Sequence, residues 1–394
     1  MNSRIVIKAT MLITLAIALS IASSRLRADT GTCGGATITL PFVDVTAGNV
    51  FFCSIAEAYF SGLANGTDAT HYNPAGNVPR EQMAAFVTRT LDQSLKRGSS
   101  RAALGQWAIP TSVPATGKTV VGTNPDFLKS DGEDVWVANH GSGTVSRVHA
   151  SDGKLLGTWT GAVSAVDVLI ARGLVWVIAD TSPGAIYVID PTQPPGPVVT
   201  LTSMLPNGPR SIAFDGFFLW ASSGAGGSSI SKVNPNSGAV TTFTGFQFAT
   251  GIIYDGTNIW VTDANAIKKI DKTNAAVLLT VAVGNSPVVP IFDGANIWSA
   301  SFTEDSVTVF KASTGTVFAT LTGNNLSGPN SAAFDGERVL VANGGNDSVS
   351  LWKASDLTPL GFATGATSIF GVCSDGLNFW LTLRDGPPGH IVRF

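Results

Sequence analysis

The chain has 394 residues, too many for one average domain, and only 13% of them are charged; 24 Lys and Arg against 27 Asp and Glu leave a net charge of −3. No basic block exists, so nucleic acid is excluded as the main partner. Three cysteines are too few for a disulfide scaffold, while 43 glycines suit a chain of many short strands and turns.

Residues 1–28 have the pattern of an export signal. Arg4 and Lys8 form a basic start, and Ala9 to Ala22 is uncharged and mostly apolar, long enough for a signal core and short for a membrane span. Cleavage is expected after Ala28, with Ala22 as the other small-residue site. No other stretch could span a bilayer, so the mature protein is expected to be exported, to the cell surface, cell wall or periplasm, with no transmembrane segment.

Residues 29–97 read as a small helical domain. Phe42-Val-Asp-Val45 leads into a helix predicted over Phe52 to Leu63, with Ile55, Tyr59 and Leu63 on one face. A loop carries Tyr72-Asn-Pro74. A second helix starts at Val78-Pro-Arg-Glu81 and presents Met83, Phe86, Val87 and Leu91. By residue chemistry alone, Arg80 and Glu81 open that helix, with Glu81 favoured near its N-terminal dipole.

The elements Phe42-x-Asp44-Val45, Ile55, Gly62-Leu63, Gly66, Tyr72-x-Pro74 and Val78-Pro-Arg-Glu-Gln-Met-Ala84 resemble the S-layer homology (SLH) domain over about 55 residues. Val50 stands where that family commonly has Trp, with Phe51 and Phe52 beside it. The family often carries three tandem copies, and here there is one. The resemblance implies attachment to a cell-wall polysaccharide or peptidoglycan. Arg80 would clamp an anionic sugar substituent, since guanidinium and carboxylate match bidentately, and Asp44, Asn65 and Glu81 would complete the contact. Export permits a disulfide between Cys33 and Cys53, although spacing alone does not fix its geometry. Cys373 reads as a small buried apolar residue.

Residues 98–117 lack a period and contain Ser99-Ser100, Pro110 and Pro114, which suggests an extended linker. From 118 onward the chain repeats. Asp131-Gly132…Trp136 recurs at Arg172-Gly173…Trp176, Asp215-Gly216…Trp220, Asp255-Gly256…Trp260, Asp293-Gly294…Trp298, Asp335-Gly336…Leu340 and Asp375-Gly376…Trp380. The spacings are 40, 44, 40, 38, 42 and 40 residues, the period of a four-stranded propeller blade. The predicted fold is therefore mainly β, a seven-bladed β-propeller over residues 118–394 preceded by the small helical domain. Blade seven runs out at its third strand, His390–Phe394, so Lys118-Thr-Val-Val-Gly122 is predicted to supply the fourth and close the ring. Gly328-Pro…Phe334-Asp-Gly336 and Ile259-Trp-Val-Thr262 resemble the NHL and YVTN propellers.

Loops before each first strand and after each second strand meet at one end of such a ring. That places Asp126, Asn139, His140, Asp180, Arg210, Asp263, Glu304, Asp305, Asn330, Asn343 and Arg384 at its mouth, where a protein or a glycan could bind. The plainer reading is that Asn, Asp and Gly occur there because turns need them. NHL-like propellers include virginiamycin B lyases, and related ones include lactonases. Their chemistry needs a catalytic His or a close set of metal-binding acids, and only His140 of four histidines falls at the mouth. No catalytic set and no cofactor is expected, a divalent cation in the channel being the one compatible addition. Binding or scaffolding thus ranks above catalysis, with a structural envelope role as a further alternative.

Overall fold

Val, Ile, Phe, Trp and Thr alternate between turns throughout the second part of the chain, and they form strands because branched and aromatic side chains suit a pleated surface. The computed structural model describes residues 29–33, 36–60, 64, 66–79, 83, 110–113, 117–224 and 228–394. The expected export signal 1–28 and Asn65, Arg80 and Glu81, with most of the expected second helix, lie outside the described residues. The chain divides into two units, Met1–Ser100 and Arg101–Phe394.

In the first unit, a hairpin that the sequence pattern does not announce pairs Thr30–Cys33 with Ala36–Thr39. Helix α1 spans Phe52–Phe60. The Asn49 side chain accepts the Phe51 N–H at 2.8 Å just before its first turn. Leu40, Phe42, Val45, Phe52, Ile55 and Ala56 form the core, and the Phe42 and Tyr59 rings meet edge-on at 5.0 Å. Of the two aromatics beside Val50, Phe52 is buried in this core and Phe51 is exposed. A disulfide joins Cys33 to Cys53, pinning the hairpin to the helix and closing a loop of 20 residues. In the chain-entropy view such a loop is worth ~3 kcal/mol.

The second unit is a ring of seven four-stranded sheets. The first strands of blades one to seven are Pro125–Ser130, Ala165–Ala171, Pro209–Phe214, Ala249–Tyr254, Ile291–Phe292, Pro329–Phe334 and Ile369–Ser374. Blades one to six are contiguous in sequence. Blade seven takes its fourth strand from Lys118–Val120, which pairs antiparallel with the third strand, Lys118 opposite Val392 and Val120 opposite His390. A closed ring leaves no blade face unpartnered. Part of the expected linker also belongs to this unit. Val113 is buried against blades six and seven, and its N–H donates to the Thr364 carbonyl at 2.7 Å. Its apolar side chain finds a core there, which a reading of Pro and Ser content could not reveal.

The repeated Asp does more than precede a glycine of positive φ. In blade four, Asp255 Oδ1 accepts the N–H groups of Thr257 and Asn258 at 2.8 and 2.6 Å, and Oδ2 accepts the Trp260 indole N–H at 2.7 Å. One carboxylate thus closes the turn and satisfies the buried Trp, which explains the five-residue spacing. Asp131, Asp215, Asp293 and Asp375 do the same for Trp136, Trp220, Trp298 and Trp380. Blade two lacks the Asp. There Arg172 and Gly173 both have positive φ, 59° and 73°, and the Trp176 indole donates to the Ala171 carbonyl instead. Blade six has Leu340 for Trp, and Asp335 Oδ2 accepts Arg338 Nε at 2.8 Å.

Neighbouring blades are stapled by cations beside those Trp rings. Arg147, Lys232 and Lys269 lie 5.2–5.4 Å from the centroids of Trp136, Trp220 and Trp260. Each then donates to a carbonyl of the next blade, at Pro191, Lys272 and Ala312. Arg393 reaches the Ser151 carbonyl at 2.7 Å, from the last blade to the first.

Candidate functional site: the two ends of the channel

Every first strand begins, and every second strand ends, at one end of the ring. In six blades the register of the first hairpin shifts near its start, as between Pro125 and Leu128, Pro209 and Ser211, or Ile369 and Val372. Such bulges re-aim side chains at the rim of the channel.

The structure gathers part of the expected mouth. Arg384, beyond the second strand of blade seven, pairs with the buried carboxylate of Asp126 in blade one. Its guanidinium carbon lies 3.3 Å from the Phe370 ring centroid. Burial pushes the Asp126 carboxyl above its usual range, against the opposing charges of Arg384, His140 and Arg210. Those three side chains therefore share one electrostatic neighbourhood with Asp126. Arg210 is half-exposed and stands 3.7 Å from Asp180. The His140 ring makes no hydrogen bond among the described residues. Asn330 Nδ2 donates to the Ile369 carbonyl at 3.1 Å, while its Oδ1 is buried without a partner.

Other expected mouth residues are consumed by the fold. Asn139 is fully buried and its amide donates to Thr144 Oγ1 and Ser146 Oγ at 3.2 and 2.9 Å. Asn343 does likewise to Ser348 and Ser350. Asn with Ser or Thr five and seven residues later is thus a clip between second and third strands. Asp263 accepts the N–H groups of Gln247 and Phe248, both at 2.6 Å, and pairs with Lys268. Glu304 and Asp305 cap loops, at Asn285 and Gly328. Asp44, expected at a sugar, accepts the N–H groups of Tyr72 and Asn73 at 2.9 and 2.7 Å. Burial pushes its carboxyl up, but those two donors outweigh it and hold it below the usual range.

Asp167 is a buried carboxylate that the sequence pattern did not single out. It is buried in the channel wall, accepts Val168 N–H, Ser211 O–H and Ile212 N–H at 2.9–3.3 Å, and is pushed up by burial. A carboxylate in a column that elsewhere holds Phe127, Ser211, Gly251, Val289, Ser331 and Gly371 is the signal that the repeat alignment carried. Among the described residues no three His, Cys, Asp or Glu side chains converge as metal ligands.

Cavities also occur at the opposite end, where the Asp-Gly turns lie. One of about 370 Å³ is lined by first-strand ends of five blades, including Lys129, Tyr254, Phe292, Phe334 and Cys373. Burial drives the Cys373 thiol far above its usual range, so it is a neutral, inert wall group. Two grooves, of about 610 and 550 Å³, run between blades four and five and between five and six.

This architecture defines the class, a seven-bladed β-propeller protein with a small N-terminal unit that includes a short helix. No family model and no curated protein matches the sequence. Among solved structures, one titled "Streptogramin B lyase structure" superposes with a TM-score of 0.58 at 14% identity, over 71% of this chain and 97% of that one. As 1520 chains of solved structures match, the likeness fixes the fold and selects no activity.

Proposed function

We propose that the protein is an exported binding protein, held at the cell wall by its SLH-like N-terminal unit, whose propeller engages a protein or glycan at the Asp126–Arg384 end of the channel. The observation that carries the binding reading is the Arg384–Asp126 pair against the Phe370 ring, with half-exposed Arg210 3.7 Å from Asp180 at the same end. Guanidinium groups next to an aromatic face suit acidic sugars and peptide carboxylates. Export is supported by the Cys33–Cys53 disulfide, which belongs to oxidising compartments, and by the signal-like residues 1–28.

The lyase title of the structural neighbour favours a second reading, catalysis at the same mouth. It is weakened by geometry, because the His140 ring has no partner among the described residues to orient it as a base.

Wall sedimentation tests the tether. The mature protein should pellet with isolated wall, Arg80→Ala should release it, and the 101–394 unit should stay in solution. Pelleting of the 101–394 unit alone would reject the tether. On an array of acidic glycans and peptides, Arg210→Ala should lose the binding of the mature protein. An unchanged binding pattern would remove the mouth from the recognition surface.

A further inference from the structure

The end of the channel opposite that mouth carries a second cavity. Lys129 stands two residues before the turn of blade one. The same position in the other blades holds Leu169, Ala213, Ile253, Ile291, Ala333 and Cys373. Packing therefore asks for an apolar side chain there, and a lysine is the exception in its column.

Several other lysines of the ring are engaged, while Lys154 and Lys311 lie exposed on the surface. Lys118 pairs with Asp385, Lys268 with Asp263, and Lys232 and Lys269 donate to carbonyls of the next blade. Lys129 makes no hydrogen bond, ion pair or ring contact among the described residues. Its charge acts on the buried carboxylate of Asp167, whose two oxygens are already committed to Val168, Ser211 and Ile212.

The remaining polar groups of the cavity wall are also spent. Ser130 Oγ donates to the Asp134 carbonyl at 2.8 Å and Ser374 Oγ to the Asn378 carbonyl at 3.1 Å. Tyr254 O–H donates to the Gly256 carbonyl at 2.6 Å. A cavity of about 370 Å³ thus offers one uncommitted ammonium within aromatic and aliphatic walls. That size lies within the range of small-molecule sites.

We infer that this cavity binds a small organic carboxylate with an apolar body, the carboxylate on Lys129 and the body against Tyr254, Phe292 and Phe334. A neutral ligand would leave the ammonium unpaired. A hydrophilic anion such as phosphate would waste the apolar wall. Binding is non-covalent, since Cys373 holds its proton. The site is independent of the mouth at the other end.

Isothermal titration calorimetry of the mature protein with naphthalene-2-carboxylate at low salt tests this, with 2-naphthamide as the neutral isostere. The carboxylate should bind, and the amide should bind about tenfold more weakly or worse, as expected for losing a charge-assisted hydrogen bond. Lys129→Met should weaken the carboxylate by a similar factor. Lys129→Gln is measured beside it, with a melt of each, so that if one variant folds poorly the other still decides the question. Lys154→Met, which removes an exposed lysine of the same blade, should leave affinity unchanged. No binding by the unmodified protein, equal affinity for the amide, or a folded Lys129 variant within about twofold of the original would each overturn the assignment. So would loss of binding in Arg210→Ala with Lys129→Met unaffected, which would place the anion at the mouth.

Discussion

Aspartates at the two ends of the ring do different work. At the turn end, Asp215, Asp255, Asp293 and Asp375 find their partners within five residues, in their own turn and the Trp that follows. At the loop end, the partner of Asp126 is Arg384, 258 residues away, and that of Asp305 is Gly328, 23 residues away. The first kind of carboxylate builds a blade, and the second connects loops or blades. A repeat therefore advertises its turns in the sequence and hides its joints.

The largest test of that contrast is the longest-range joint. Deleting residues 117–123 removes Lys118–Val120 and opens blade seven. Blades bury their faces only against neighbours, so loss of one strand should propagate. The melting temperature should fall by more than about 10 °C in one cooperative transition, several kcal/mol for a unit of this size. A melt unchanged by the deletion, followed by circular dichroism, would reduce closure to a decoration.

The local joint should cost less. Asp255→Ala leaves the Trp260 indole and two turn N–H groups without their acceptor. Unsatisfied groups of this kind cost ~2–3 kcal/mol together, or a fall of about 5–10 °C. Asp335→Ala in blade six should act differently, because it removes one acceptor of the mostly buried Arg338, which keeps its place 5.2 Å from the Phe379 ring centroid, and it leaves no indole unsatisfied. Restoring Trp at Leu340 should then help only where Asp335 is kept. If Asp255→Ala melts with the original protein, the Asp-to-Trp hydrogen bond is not what fixes the five-residue spacing.

Legibility followed the same division. The period, the seven blades and the closing strand were readable because Asp, Gly and Trp act at fixed short distances. The mouth was only partly readable. Asn139 and Asn343 have the composition of a ligand site, but the Ser and Thr residues five and seven positions on take their amides inward. Asp126 and Arg384 read as separate mouth residues in the sequence, and only the folded ring makes them a pair. Lys129 escapes notice because a strand end beside a turn looks ordinary in one repeat. Seven repeats superposed show it as the one charge in an apolar column, and the cavity beside it exists only once five blades converge. In the small unit, Thr30–Cys33 and Ala36–Thr39 are too short to announce a hairpin by alternation.

The smallest predicted effect concerns pH and returns to the closing strand. Asp385 accepts Lys118 Nζ and His390 Nδ1, both at 2.7 Å, so one carboxylate holds the closing strand to the strand it pairs with. Burial pushes the Asp385 carboxyl up, but those two donors and their charges outweigh it and hold it below its usual value. A depressed carboxyl contributes stability above the unfolded value, about 3.9, and that stability is lost as pH falls through the folded value. Asp385→Asn should therefore melt below the original protein at pH 7, with the gap closing below about pH 4. Lys118 is about a third exposed, so screening trims the effect to roughly 1 kcal/mol, or about 2–4 °C. A gap that persists undiminished at pH 3 would mean that the side chain serves by shape and not by charge. The latch would then be an ordinary hydrogen bond, and closure would rest on the backbone ladder from Lys118 to Val120 alone.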